Sequence, residues 1–110
     1  MQTSNIYSIY DRKAAYYLPV FNLRSDADAL RSFTDMVVTS ETPVSKYPAD
    51  FDLVRLASMD LETGLVTPVF PVHIVVNGLV CLQTAQVERS RYKAVLSQQM
   101  DIEEVLAENP

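Results

Sequence analysis

The chain has 110 residues, enough for one hydrophobic core but not two, and its 48% hydrophobic against 21% charged residues exclude a disordered chain. A net charge of −5 excludes indiscriminate binding to nucleic acid, which rests on neutralising phosphates. A lone cysteine, Cys81, excludes an intrachain disulfide and points to a reducing compartment.

The charge is uneven. Residues 1–25 hold Arg12, Lys13 and Arg24 against Asp11 and sum to +2, whereas residues 101–110 hold Asp101, Glu103, Glu104 and Glu108 with no base and sum to −4. Met1–Asn5 is polar, so no leader-type segment is read there. The longest stretch free of charge, Leu65 to Val87, is interrupted by Pro68, Pro71, Asn77 and Gly78, and no membrane association is expected.

In chain order, Ile6–Tyr10 alternates as a strand, Asp11–Ala14 is a connection of hairpin size, and Ala15–Leu23 returns as a second strand. Pro19 has no N–H to give a ladder, so that strand is expected at an edge or bulged. Both faces of this first hairpin are apolar and aromatic. One helix covers only one of them, so a second subunit, a ligand or the C-terminal segment must cover the other.

Ser25 is an N-cap residue with Asp28 three positions on, and Asp26 and Asp28 suit the positive end of a helix dipole. Ala27, Leu30, Phe33, Thr34 and Val37 recur at helical spacing and predict its buried stripe. The β-branched run Val37-Val38-Thr39 ends it. Ser40–Asp50, with two prolines, reads as a loop that exposes Lys46 and Tyr47. Phe51–Ser58 is a third strand and Asp60–Gly64 a tight turn with Gly64 in the left-handed position. Leu65–Phe70 is a fourth strand, placed at an edge by Pro68.

Val72–Val76, Asn77-Gly78 and Leu79–Leu82 read as another hairpin, since Asn-Gly suits a type I′ turn. Thr84–Asn109 reads as helical. Its bases come early and its acids late, against the dipole, so a break near Gln98–Asp101 is expected. The fold expected is α+β: an antiparallel sheet of two hairpins with a helix between them (ββαββ) packed on one face, plus an extra C-terminal hairpin and helix. The division expected is a core over 1–84 and a helical, acidic tail over 85–110.

No reaction chemistry is read. Two glycines make no phosphate loop, His73 lacks partners at metal-ligand spacing, and no serine has a nucleophile-elbow context. No enzyme activity, catalytic residue, metal or cofactor is expected.

The words Ile9-Tyr10-Asp11, Lys13-Ala14, Tyr17-Leu18-Pro19 and Phe21, then Arg24-Ser25, Asp28-Ala29, Arg31 and Phe33, then Pro48, Asp50-Phe51, Leu53, Leu56-Ala57, Met59-Asp60 and Thr63-Gly64, come in a distinctive order. In this the chain resembles a small nonstructural protein of gokushoviruses, single-stranded DNA phages of the microvirus family that include the chlamydia phages. The resemblance covers roughly Ile6 to Phe70. It implies a non-capsid protein of the host bacterial cytoplasm, acting in viral DNA synthesis or the passage to genome packaging, and described as DNA-binding. The family offers no settled binding residues.

The residues themselves suggest two readings. In the first, Tyr7, Tyr10, Tyr16, Tyr17 and Phe21 stack on single-stranded DNA, while Arg12, Lys13, Arg24, Arg31 and Lys46 hold phosphates. In the second, the chain is a non-enzymatic homo-oligomeric adaptor. Its partners are a second copy (homodimer or higher) and viral or host replication or procapsid proteins, the latter gripped by the acidic tail.

Overall fold

A computed structural model describes residues 2–39 and 41–108, with side chains through Gln99. The acidic residues Asp101 to Glu108 lie in the helical backbone, but their side chains, like Asn109, fall outside the described residues. The chain is α+β, as expected. Its strands are β1 (Thr3–Asp11), β2 (Tyr16–Tyr17), β3 (Phe21–Leu23), β4 (Phe51–Asp60) and β5 (Val66–Asn77). Its helices are α1 (Asp26–Thr39), the short α2 (Pro43–Lys46) and α3 (Gly78–Glu108), with a 3-10 turn at Pro48–Asp50.

The sheet is antiparallel. β1 pairs with β4, β4 with β5, and β2 and β3 both lie along the other side of β1. β2 and β3 are one returning strand interrupted at Leu18-Pro19-Val20, as the missing N–H of Pro19 requires. The Ser8 hydroxyl donates to the Leu18 carbonyl at 2.6 Å and stitches the gap. β5 is the opposite edge, where Pro68 is tolerated. The β4–β5 register slips between Arg55 and Ala57, opposite the cis Phe70-Pro71 bond, and Phe70 stands 92% exposed.

The core lies between one sheet face and the helices. Tyr7, Ile9, Phe51 and Leu53 from the sheet meet Ala29, Phe33 and Val37 of α1, Val44 of α2 and Cys81 of α3. Phe33 and Val37 of the expected stripe are buried, with Ala29 rather than Ala27 and Leu30, which are exposed, and the buried positions are four apart. Ala27 and Leu30 face the first turns of α3 instead. The cap is as expected: the Asp28 N–H donates to Ser25 Oγ at 3.2 Å. So is the 60–64 turn, with Gly64 at φ +76 and its N–H on the Asp60 carbonyl at 2.8 Å.

Two expectations fail at the C-terminal end. There is no Asn77-Gly78 hairpin, because β5 runs through to Asn77 and α3 begins at Gly78. Asn77 Oδ1 accepts from the Leu79 N–H at 2.9 Å, so the residue caps a helix. Gly78 has no positive φ, and a Cβ there would sit 2.3 Å from the Pro48 carbonyl oxygen. The glycine is there for close backbone approach, not for a turn. The predicted break near Gln98 is also absent, since α3 runs unbroken for 31 residues. Misplaced exposed charges cost only tenths of a kcal/mol against the dipole, less than a broken hydrogen-bond ladder.

Only the start of α3 touches the body. Cys81 is buried and its Sγ lies 2.8 Å from Thr34 Oγ1 on α1, whereas Gln86 to Gln99 are exposed throughout. The helix therefore projects, and the molecule measures 66 × 38 × 21 Å.

Candidate nucleic-acid interface

Register decides which aromatic rings are free. Tyr7 and Ile9 point to α1, so Tyr10, the residue after Ile9, points away. Tyr10 is directly opposite Tyr17 on β2, and the two rings lie 4.7 Å apart, tilted by 46°. Tyr16, at the start of β2, is 54% exposed and Tyr17 46%. Lys13 is exposed in the intervening turn, which Asp11 holds by accepting from the Lys13 and Ala14 N–H groups at 3.0 and 3.1 Å. Ala15 completes the turn at φ 59, a left-handed conformation that strains a residue with a Cβ.

The same end of the sheet holds a buried carboxylate. Asp52, opposite Tyr10, is 3% exposed and accepts from Arg12 Nε and Asn77 Nδ2, each at 2.8 Å. The carboxylate beside it raises the Arg12 pKa further and fixes its guanidinium. Asn77 Nδ2 also reaches the Ala49 carbonyl at 3.0 Å, tying β5 to the 3-10 turn. The Arg12 N–H donates to the Asp50 carbonyl and the Asp50 N–H to the Tyr47 carbonyl, at 2.8 and 3.0 Å. These bonds tie the 3-10 turn that follows exposed Lys46 and Tyr47 to the end of β1.

The other expected contact residues are elsewhere. Tyr7 is fully buried and its ring stacks on Phe21 at 5.9 Å, so neither is a base platform. Tyr7 Oη donates to Asp26 Oδ1 at 2.6 Å and accepts from Asn5 Nδ2 at 3.0 Å. Arg55 Nη1 donates to both oxygens of Asp26, at 3.1 and 2.9 Å. Burial, then the Asp26 hydrogen bond, pushes the Tyr7 hydroxyl up to about 12. Alternation alone leaves the two faces of the hairpin equivalent. The signal that separates them is Asp26, an acid at a helix start that needs a donor from the strand beneath. Arg24 follows β3 at the far end of the sheet, and Arg31 lines a groove between α1 and α3. Structure thus gathers Tyr10, Arg12, Lys13 and Tyr17 at one end of the sheet, with Tyr16 on the opposite face of β2, and separates Tyr7, Phe21, Arg24 and Arg31 from them; Lys46 lies on α2, whose Val44 packs in the core on the α1 side. Among the described residues no three His, Cys, Asp or Glu side chains converge as a metal site. Nor is any described helix long and apolar enough to cross a membrane.

Residues 4–81 match the family described as Phage ORF5 protein. The chain belongs to the phage ORF5 family. Protein ORF5 of Chlamydia phage 1 is 37% identical over 67 residues, a stretch covering 57% of this chain and 70% of that relative. No solved structure matches. The gokushovirus resemblance read from the sequence therefore holds, and its reach is longer than Ile6 to Phe70. The ORF5 segment spans the strands from Ser4 onward and α1, and it stops at Cys81, the last buried residue among those described in α3. What membership establishes is a small phage accessory protein.

Proposed function

We propose that this ORF5-family chain is a nonstructural accessory protein that binds single-stranded DNA in the host bacterial cytoplasm, during viral genome replication or its passage to packaging. The observation that carries the reading is the tyrosine end of the sheet. There the Tyr10–Tyr17 pair, with exposed Tyr16 on the other face of β2, adjoins the turn that carries Arg12 and Lys13. Stacking contributes about 1–3 kcal/mol per base, so two or three bases on these rings would offset the repulsion from a chain of charge −5 at modest salt. Arg12 is already paired with Asp52 and orients the turn, which leaves Lys13 as the phosphate ligand beside the rings.

Titrating a fluorescent oligo-dT across a salt series tests this. Tyr17→Ala is expected to weaken binding by about tenfold. Lys13→Ala should lower the slope of log affinity against log salt by about 0.7. Arg24→Ala, at the far end of the sheet, should change neither the affinity nor the slope beyond the screening of one distant charge. Absence of binding at low salt ends the proposal. The projecting α3 favours a second reading, a non-enzymatic adaptor that contacts replication or procapsid proteins.

A further inference from the structure

Among the described residues, the buried apolar side chains of the helices all join the core on the α1 side of the sheet. On the opposite face the pairings of Tyr17 with Tyr10, Tyr10 with Asp52 and Asp52 with Asn77 set four side chains in one row across the strands. Aromatic rings take any base, because every base has a π-face, so the two tyrosines supply affinity without reading sequence. Reading a base takes hydrogen-bonding groups directed at its edge.

The row holds such a group. Arg12 bonds the buried Asp52 carboxylate through Nε, and Asn77 holds the other oxygen of that carboxylate. Among the described residues neither Nη of Arg12 has a hydrogen-bond partner, and the side chain is 54% exposed. The guanidinium is therefore tethered at its stem and open at its end, on the face where the Tyr10 and Tyr17 rings lie. A tether of this kind lowers the cost of ordering a long side chain when it meets a ligand.

Two free Nη groups match two adjacent acceptors. Guanine offers O6 and N7 side by side, whereas adenine sets a donor beside N7 and thymine has a single acceptor on that edge. A phosphate offers paired oxygens too. The fork, however, shares the row on which a base would lie, while Lys13 stands in the turn at its border.

We propose that Arg12, positioned by Asp52, reads a guanine held at the Tyr10–Tyr17 pair through its two Nη groups. The inference rests on the DNA-binding reading and adds a base preference to it.

Short dT oligonucleotides with one variable central base, titrated against the full chain at low salt, provide the test. A strand with dG is expected to bind about tenfold tighter than one with dA, and a deaza-dG lacking N7 should lose most of that gain. These comparisons use the wild type and are untouched by misfolding. Arg12→Lys keeps the charge and loses the fork, so it should abolish the dG preference and leave binding to the dT-only strand within about twofold. Asp52→Asn, which loosens the fork, should reduce the preference to about threefold without weakening binding to the dT-only strand. Equal binding of the dG and dA strands overturns the inference. So does a preference that survives Arg12→Lys, or an equal loss on every strand in that variant, which would mark Arg12 as a phosphate ligand. In each of these cases the dT-only strand still binds the wild type and the DNA-binding reading stands. Failure of every strand to bind ends both.

Discussion

The body of the molecule and its projecting helix solve opposite problems. Between Thr3 and Cys81 the chain closes a core, in which Tyr7, Phe33 and Leu53 are at most 1% exposed and the carboxylate of Asp52 is compensated by Arg12 and Asn77, while apolar groups such as Phe70 stay outside it. From Gln86 onward α3 buries none of its described residues. The family match ends at this same boundary. A closed core sets the fold and tolerates little change, while an exposed helix has its sequence set by what it meets. The tyrosine end belongs to the first region but behaves like the second. Tyr16 and Tyr17 form two residues of edge strand and point to its opposite faces, each about half exposed.

Thermal and chemical unfolding can break or sharpen this contrast. The largest effect is expected from Phe33→Ala, which empties the centre of the core and should cost about 3–5 kcal/mol in a urea titration. Next comes the Tyr7 hydroxyl. Its pKa is raised in the folded state, so its contribution is complete below about 10 and lost as the pH climbs through about 12. Stability should fall by up to about 2–3 kcal/mol across that alkaline window, and Tyr7→Phe should flatten the profile. Gly78→Ala forces a Cβ onto the Pro48 carbonyl and should cost about 1–3 kcal/mol by the same titration. Ala15→Gly has the opposite sign. It relieves the left-handed alanine and should raise stability by up to about 1 kcal/mol, read as a higher melting temperature. Smallest is Gln86→Ala on the exposed flank of α3, expected to stay within about 0.5 kcal/mol. A loss comparable to that of Phe33→Ala would show that α3 is part of the body after all.

The legible parts of the fold are those whose cause is local. Ser25 caps α1, Gly64 takes the left-handed turn position, Pro19 interrupts its ladder and Pro68 lies at an edge. Each depends on a residue's own backbone chemistry and a few neighbours. The candidate site was legible in its residue types but not in their directions. Tyr7 and Tyr17 look alike in an alternating pattern, yet one is sealed under α1 by Asp26 and Arg55 and the other faces solvent. Lys46, distant in sequence, lies on α2 on the α1 side of the sheet, tied to β1 only through the Tyr47–Asp50–Arg12 backbone bonds.

Asn77-Gly78 shows the limit most plainly. Asparagine followed by glycine suits a tight turn and a helix start alike, and local propensity does not separate them. The choice fell to the approach of Pro48, which only a residue without a Cβ permits, and to Asp52 and Ala49, which hold the Asn77 amide. The sequence by itself determined an α+β chain, its first helix, its turns and its uneven charge, because these follow from spacing, caps and composition. Only the tertiary structure decided which face of the first hairpin is core, that β5 feeds directly into α3, and that α3 leaves the body. Those outcomes depend on contacts between residues far apart in the chain, whose closure no local pattern encodes.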